Sequence, residues 1–250
     1  MTEGLKTVGI IPARWGSTRF PGKPLAPILG RPMIQWVVEA ALKAVRLSQV
    51  IVATDDSRIL DAVKGFGGCA ELTSDQHRTG SDRIAEVAAR GQWDLVVNIQ
   101  GDEPLIDPAD IDRAVKGLAD NPDIPVSTLM APVKTEDERD DVNVVKVVTD
   151  ARGRALYFSR SPIPHNRDGG GEAPLEGVFR HLGLYAYRSS FLREFTRMPS
   201  TPLEELEKLE QLRILESGFP ILVLNTENRS PGVDRPEDIE KLETLLAKQE

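Results

Sequence analysis

The chain has 250 residues, of which 40% are hydrophobic. A chain of that length buries most of its unfolded surface without crosslinks, so composition excludes disordered and disulfide-built proteins. Lys and Arg number 31 against 39 Asp and Glu, a formal net charge of -8. Because a negative field repels phosphodiester backbones, we do not expect nucleic acid as a partner.

Cys69 is the single cysteine of the chain. It permits no internal disulfide and no cysteine-built zinc site, which is typical of a reducing compartment, and its simplest interpretation is a small buried apolar residue. No apolar stretch approaches the roughly 18 residues of a membrane span, and the first residues lack a signal-peptide core. We therefore expect a cytoplasmic protein that does not bind membranes.

Short β-branched runs alternate with segments of helical periodicity along the first half of the chain. This alternation is typical of βα units around a mostly parallel sheet. The predicted strands are residues 7–11, 50–53, 70–72, 95–99 and 126–131, and the predicted helices are residues 32–45, a segment carrying Ile59, Val63 and Phe66, and residues 81–89 and 108–118.

After about residue 138 the pattern changes. Two predicted strands, residues 144–148 and 155–158, flank a four-residue turn at 150–153, which favours an antiparallel pair. The remaining expectations are a mobile surface loop at 166–171, a strand at 183–187, one helix at 204–217, a strand at 221–224 and a closing helix at 235–246.

No linker separates two self-sufficient halves, so we predict one α/β domain over residues 1–250. Its sheet is expected to be mostly parallel but mixed and flanked by helices. Residues 140–190, approximately, are expected to form an inserted antiparallel subdomain.

A basic, glycine-containing loop, residues 12–23, follows the first predicted strand. Ligands of open α/β sheets bind outside the carboxyl ends of strands, and Arg14, Arg19 and Lys23 could there neutralise a triphosphate. The alternative is a solvated basic loop. In an acidic chain, this position favours phosphate binding, although the loop is not a Walker loop because no Gly-Lys-Ser or Gly-Lys-Thr follows.

Two aspartates are candidates for a magnesium site. Asp102 follows a predicted buried strand, and Asp234 precedes the closing helix. Mg²⁺ prefers one or two carboxylates together with substrate phosphates. Asp234 is equally well explained as a helix cap, whereas no helix directly follows Asp102.

Residues 77–83 begin a predicted helix and are rich in hydroxyl and charged groups. Thr79 or Ser81 as a helix cap is the simple alternative to a ligand-binding role, and Asp56 is best explained as an N-cap. The three histidines form no close pair in the sequence, so a histidine metal cluster is not expected. The Gly-x-Ser-x-Gly turn of a serine hydrolase is also missing.

Taken in order, these motifs resemble those of the 3-deoxy-manno-octulosonate cytidylyltransferase family, also called CMP-Kdo synthetases, over nearly all of the chain. One matching motif would be weak, but this many in order are specific. The matching segments are residues 11–14, 17–19, 21–25, 77–83, 97–104, 143–146, 157–160, 180–185, 209–213 and 232–234.

The resemblance implies a nucleotidyltransferase-type fold and a reaction. CTP and the acid sugar 3-deoxy-D-manno-octulosonate (Kdo) would give CMP-Kdo and pyrophosphate, for lipopolysaccharide or capsule assembly. The sugar's anomeric 2-hydroxyl would attack the α-phosphorus in line, with metal activation and Asp102 as the proton acceptor. A homodimer is also implied, with the inserted subdomain as its interface.

The resemblance also implies residue roles, with Lys23, Asp102 and Asp234 as the catalytic group. Arg14, Arg19 and Lys23 would bind the triphosphate, and Asp102 and Asp234 would hold Mg²⁺. Ala13, Ser74, Ser81, Asp82 and Arg83 would border the cytidine, and Gln100, Arg160, His181, Tyr185, Glu210 and Gln211 would line the sugar pocket. Glu210 and Gln211 are equally explained as outward polar residues of a helix, and Arg160 as a surface residue.

Two places depart from the family pattern. Ser81 stands where relatives more often carry Thr, and Ser230, Pro231 and Arg235 border Asp234 where smaller or neutral residues are expected. Two other functions stay open. One is a cytidylyltransferase for a related acid sugar, 8-amino-Kdo or sialic acid. The other is a non-catalytic nucleotide-binding regulator, which would not need two metal carboxylates.

Overall fold

The computed structural model describes residues 4–16, 20–167 and 175–246, and these form two compact units. The first unit contains the chain up to Asp112 and the residues from Arg229 onward, and the second runs from Arg113 to Asn228. The prediction of one domain with an insertion at about 140–190 stays a prediction. Within the described ranges, no helix is both long and apolar enough to cross a membrane.

The first unit begins with a βα alternation. Its elements are β1 (Thr7–Ala13), a 3-10 turn (Lys23–Leu25), β2 (Pro27–Ile28), β3 (Arg31–Pro32), α1 (Met33–Ala41), β4 (Gln49–Thr54), α2 (Ser57–Gly65), β5 (Ala70–Leu72), α3 (Gly80–Ala88), β6 (Leu95–Asn98) and α4 (Pro108–Asp120), whose last turns belong to the second unit.

The sheet of the first unit is parallel, in the order β6-β1-β4-β5. Ile10 of β1 lies opposite Ile51 of β4 and Asn98 of β6. Strand β1 is buried along nearly its whole length because helices α1 and α3 pack on it, as expected for a parallel strand covered on both faces. The predicted strands and helices of this half are confirmed to within a few residues, apart from α1, which ends four residues earlier than predicted.

The second unit contains β7 (Val126–Pro132), α5 (Glu136–Asp140), β8 (Lys146–Thr149), β9 (Ala155–Ser159), β10 (Phe179–Arg188), α6 (Ser189–Phe195), α7 (Pro202–Glu207), α8 (Gln211–Glu216) and β11 (Ile221–Asn225). Its sheet is mixed, because β7 pairs with β11 in parallel and with β10 antiparallel, while β8 pairs antiparallel with β9 and β10. The predicted α/β class with a mixed sheet is confirmed.

The antiparallel pair predicted around residues 150–153 is the β8–β9 hairpin. Asp150 closes its turn, since one carboxylate oxygen accepts the N–H groups of Arg152 and Arg154, both at 2.8 Å. Gly153 adopts a φ of 74°, a left-handed conformation that favours glycine. Residues 168–171 of the expected mobile loop at 166–171 lie outside the described ranges, so this expectation stays a prediction.

The prediction of one helix at 204–217 is wrong, because the segment forms α7 and α8 with Lys208 between them in the left-handed conformation, φ 54° and ψ 48°. Long-range contacts stabilise this break: the carbonyl oxygens of Glu207 and Lys208 accept from the guanidinium of Arg160. The interpretation of Cys69 as buried is also wrong, since it is exposed just before β5. Short helices α5 and α6 carry too few turns to have been predicted by periodicity.

The last described element of the first unit is α9 (Glu237–Leu246). Leu242 and Leu246 of this helix pack with Ile28, Met33 and Val233 in a small apolar cluster. Val233 is 1% exposed. The cluster therefore holds the segment that carries Asp234 against the start of the chain.

Candidate active site

A cavity of about 310 Å³ opens in the first unit, beyond the carboxyl ends of β1 and β6. This volume lies at the small end of the range for ligand pockets, and strand ends are where open α/β sheets bind ligands. The lining residues are Pro12, Ala13, Arg14, Lys23, Pro24, Met33, His77, Arg78, Thr79, Gly80, Arg83, Gln100, Gly101, Asp102 and Asp234. The structure thus brings together seven of the predicted site residues: Ala13, Arg14, Lys23, Arg83, Gln100, Asp102 and Asp234.

Gly101 allows the two strand ends to approach each other. A Cβ at this position would lie 2.8 Å from the carbonyl oxygen of Pro12, which is too close for any side chain. The adjoining chain is tied by the N–H of Ile99, which donates to the carbonyl of Ile10 at 3.0 Å. Gly101 therefore places Gln100 and Asp102 beside the end of β1.

The basic loop is anchored at its two described ends. The N–H of Gly22 donates to the carbonyl of Trp15 at 3.1 Å, and Gly22 has a φ of 71°. The guanidinium of Arg58 lies 3.4 Å from the centroid of the Trp15 ring and is held there by Asp56. Arg19 lies outside the described residues.

Lys23 lies between the two predicted carboxylates. Its Nζ is 2.6 Å from Oδ2 of Asp102 and 3.9 Å from Oδ1 of Asp234. The two acidic segments are also joined through the backbone, because the N–H of buried Val233 donates to the carbonyl of Asp102 at 2.9 Å. Two carboxylates that are 132 residues apart in the sequence therefore lie near the same ammonium group.

The carboxylate of Asp234 lies near the cavity cation. Its Oδ1 is 3.9 Å from Nζ of Lys23. The carboxylate of Asp238, in the first turn of α9, accepts the N–H groups of Asp234 and Arg235 at 3.0 and 2.9 Å. These hydrogen bonds fix the backbone that carries Asp234, and the choice between a helix cap and a metal ligand for Asp234 stays a prediction.

Two carboxylates, those of Asp102 and Asp234, lie near the ammonium of Lys23. Within the described ranges, His, Cys, Asp and Glu do not gather in any group of three that could hold a metal. Asp102 and Asp234 could hold a metal ion only together with further ligands from substrate phosphates and water, as Mg²⁺ commonly takes.

The start of α3 faces the cavity through Thr79 and Gly80. Thr79 and Asp82 form a capping box, in which each side chain accepts the other residue's N–H, so the prediction of Thr79 as a cap is confirmed. Asp82 thus has a structural partner, and Ser81 is buried with 5% exposure. Ser74 is exposed, and its N–H donates to Glu86 at 3.0 Å.

Arg83 is 4% exposed and lines the cavity. Its Nη2 forms an ion pair with Oδ2 of Asp55 at 2.7 Å. Asp56 caps α2 by accepting the N–H of Arg58, which confirms the prediction of Asp56 as an N-cap.

Sequence reasoning gave no role to His77 or Arg78, yet both line the cavity. The signal for Arg78 was its place in a polar segment before a helix, where phosphates bind.

The predicted sugar residues fall into two groups. Gln100 lies in the first unit, whereas Arg160, His181, Tyr185, Glu210 and Gln211 all lie in the second. The guanidinium of Arg160 is hydrogen-bonded to carbonyl oxygens, including that of Glu207 at 2.8 Å and that of Val142 at 3.0 Å. Glu210 immediately precedes α8, and Gln211, its first residue, is 7% exposed.

His181 belongs to an aromatic cluster, with Phe158 edge-on at 5.1 Å and Tyr185 at 5.3 Å between ring centroids. Its Nε2 is 2.9 Å from Oγ1 of Thr128, which is also 2.8 Å from the carbonyl oxygen of Leu184. Because the carbonyl can only accept, the hydroxyl proton goes to it and Nε2 donates to the hydroxyl. Neutral His181 therefore carries its proton on Nε2.

Burial shifts the ionisation of two of these residues. It lowers the pKa of His181 to about 3, with a smaller contribution from the charge of Arg180. It also raises the pKa of Tyr185 well above its ordinary value. Both side chains are therefore neutral at pH 7, suited to hydrogen bonding with hydroxyl groups rather than to binding a charge.

Comparison with known proteins gives concordant results. The family described as Cytidylyltransferase matches residues 8–228. The 3-deoxy-manno-octulosonate cytidylyltransferase of Syntrophotalea carbinolica is 54% identical, over 97% of this chain and 99% of its own. That of Geobacter metallireducens is 52% identical, over 98% and 99%.

Solved structures agree with these relatives. The structure of CMP:2-keto-3-deoxy-manno-octonic acid synthetase complexed with CTP has a TM-score of 0.92 at 42% identity, covering 98% of this chain and 100% of that one. A 4-diphosphocytidyl-2C-methyl-D-erythritol synthase from Anaerococcus prevotii has a TM-score of 0.66 at 14% identity, covering 98% of each chain, a likeness of fold alone.

Proposed function

The chain belongs to the cytidylyltransferase family, and we propose that it transfers CMP from CTP to the anomeric 2-hydroxyl of Kdo, giving CMP-Kdo and pyrophosphate. Similarity over nearly the full length to enzymes named for this reaction carries the proposal. The family resemblance inferred from the motifs is thereby confirmed.

The cavity of the first unit supplies the charges that CTP requires. Arg14 and Arg78 are exposed cations in its lining, Lys23 is less exposed, and Thr79 and Gly80 bring the start of α3 to the cavity. Helix N-termini and basic side chains both stabilise phosphate groups. We assign the triphosphate to this region and the cytidine to the neighbouring Ala13 and Arg83.

In the reaction, the 2-hydroxyl oxygen of Kdo bonds to the α-phosphorus as the bond from that phosphorus to the bridging oxygen of pyrophosphate breaks. Negative charge develops on the departing pyrophosphate, where Lys23 and Arg14 stabilise it. The hydroxyl proton passes to the carboxylate of Asp102. Positioning and charge neutralisation supply most of the rate, because phosphoryl-type transfer requires little covalent work from the protein.

Mg²⁺ is part of this proposal, held by Asp102 and Asp234. When bound, it would neutralise phosphate charge and lower the pKa of the attacking hydroxyl. The convergence of both carboxylates on Lys23 supports this assignment.

We further propose a homodimer in the cytoplasm. The exposed apolar side chains of Val142 and Leu156, both within residues 140–190, support an interface on that part of the second unit. A single cysteine suits a reducing compartment. Light scattering that reports only monomer at assay concentration would contradict the dimer.

A coupled pyrophosphate assay tests the reaction. Release is expected only when CTP, Mg²⁺ and Kdo are all present, and omission of each in turn is the control. Faster release with sialic acid or 8-amino-Kdo would favour a related cytidylyltransferase. CTP binding without release for any acid sugar would indicate a nucleotide-binding regulator and contradict the proposed function.

A further inference from the structure

The break between α7 and α8 exposes backbone carbonyl groups that a continuous helix would use internally. Lys208 adopts the left-handed conformation, φ 54° and ψ 48°, and the N–H of Leu212 donates to Leu209 rather than to Lys208. Such a conformation is unfavourable for a lysine, so other contacts must maintain it.

The guanidinium of Arg160 donates hydrogen bonds to these carbonyl groups. Its Nε donates to the carbonyl of Glu207 at 2.8 Å, and its Nη2 makes a longer contact of 3.5 Å with that of Lys208. Nη1 donates to the carbonyl of Val142 at 3.0 Å. These acceptors are neutral, so they fix the orientation of the guanidinium without cancelling its charge.

The carboxylate of Glu207 holds the backbone beneath that guanidinium. Oε2 accepts the N–H of Arg160 at 2.9 Å, and Oε1 accepts the hydroxyl of Ser159 at 2.6 Å. The Ser159 oxygen in turn accepts the N–H of Ser161 at 3.0 Å, which leaves its own proton for Glu207. Glu207 therefore contacts Arg160 through both its side chain and its carbonyl group.

A fully buried lysine lies beside this network. Lys146 is 0% exposed and lies opposite Ser159 in the β8–β9 register. Its Nζ donates to the carbonyl groups of Asp141 and Val144. Burial lowers the pKa of Lys146, and the charges of Asp141, Asp140 and Glu207 partly oppose this shift. Lys146 therefore fixes the backbone at Asp141 and Val144, next to the carbonyl group of Val142 that accepts from Arg160.

We propose that Glu207 is a positioning residue for the acid sugar, holding the guanidinium of Arg160 in the orientation that receives the sugar carboxylate. This inference rests on the proposed function. It assigns the strained turn at Lys208 a role, since the turn is what presents two carbonyl groups to Arg160. A salt bridge from a carboxylate to the guanidinium itself would instead compete with the substrate.

The test is Glu207→Gln, measured by steady-state kinetics with CTP, Mg²⁺ and Kdo. A glutamine cannot accept both hydrogen bonds without turning its NH₂ group toward a donor. We expect the KM for Kdo to rise about tenfold, the scale of one lost charge-assisted hydrogen bond, with kcat and the KM for CTP within about twofold of the parent. Ser159→Ala should raise the KM for Kdo less and add little to Glu207→Gln, because both remove the same hydrogen bond.

Glu205→Gln is the matched control, because Glu205 lies in the same helix but is exposed, and its carboxylate bonds to the side chains of Lys208 and Ser200 instead of to the backbone of Arg160. Its kinetic constants should equal those of the parent. Thermal unfolding of every variant separates positioning from stability. Equal changes in both KM values, or an unchanged KM for Kdo in Glu207→Gln, would overturn the inference while leaving the proposed function intact. A parent enzyme that releases no pyrophosphate with Kdo would overturn both.

Discussion

The ammonium of Lys23 and the carboxylate of Asp102 form an ion pair at 2.6 Å, with side chains 14% and 37% exposed. Partly exposed ion pairs contribute little to folding stability. Substitutions at either position are therefore expected to change the kinetic constants more than the free energy of unfolding.

Asp102→Asn and Asp234→Asn should each lower kcat at least about a hundredfold, because metal stabilisation of the transition state is worth several kcal/mol. Each change keeps the size of the side chain but removes the negative charge that the proposed magnesium site requires, so thermal unfolding should match that of the parent. Asp123→Asn, at an exposed position in the second unit, is the control. Near-normal turnover of the Asp234 variant at saturating Mg²⁺ would remove that residue from the metal site.

Lys23→Ala should weaken CTP binding and slow the chemistry at least about tenfold, since a cation near the phosphates acts more strongly as charge develops on pyrophosphate. Binding is measured by calorimetry and turnover by pyrophosphate release. Lys64→Ala, on the exposed face of α2, should change neither. Parent values for both in the Lys23 variant would show that this loop does not bind the triphosphate.

Arg160→Lys should raise the KM for Kdo at least about tenfold and leave the KM for CTP nearly unchanged, because an ammonium cannot reproduce planar bidentate contact with a carboxylate. Arg152→Lys, in the exposed β8–β9 turn, serves as the control. An equal effect on both substrates would instead place Arg160 at the phosphates.

His181 should make the protein less stable in mild acid. Its folded pKa of about 3 lies below the ordinary value of 6.5, so the unfolded state binds the proton first and stability falls as pH drops from 6.5 toward 3. The free energy of unfolding at pH 5 should therefore be lower than at pH 7 by about 2 kcal/mol because of His181. Urea unfolding of the parent and His181→Asn at pH 7 and pH 5 measures it.

The parent should lose more free energy of unfolding between those two pH values than the His181 variant does. His165→Asn, at an exposed histidine, should behave as the parent. Equal losses in the parent and His181→Asn would show that the histidine is accessible to protons in the folded state.

The sequence by itself determined the βα alternation, the antiparallel hairpin and several residues of the cavity in the first unit. Strands such as β1 are continuous apolar runs, and the polar residues after such runs must emerge at a sheet edge. This rule placed Arg14, Gln100, Asp102 and Glu103 at strand ends, and the first three of these line the cavity. Local rules of this kind require no knowledge of distant partners.

Only the tertiary structure decided what depends on distant partners. Periodicity over residues 204–217 predicts one helix. In the structure, buried Glu204 pairs with Arg213, and the carbonyl group of Glu207, at the break between α7 and α8, accepts a hydrogen bond from Arg160. Likewise, the ion pairs of Lys23 bring together Asp102 and Asp234, which are far apart in the sequence. Hydrogen bonds between residues far apart in the chain outweigh local propensity at such positions, because each buried polar group that lacked its partner would cost about 1 to 3 kcal/mol.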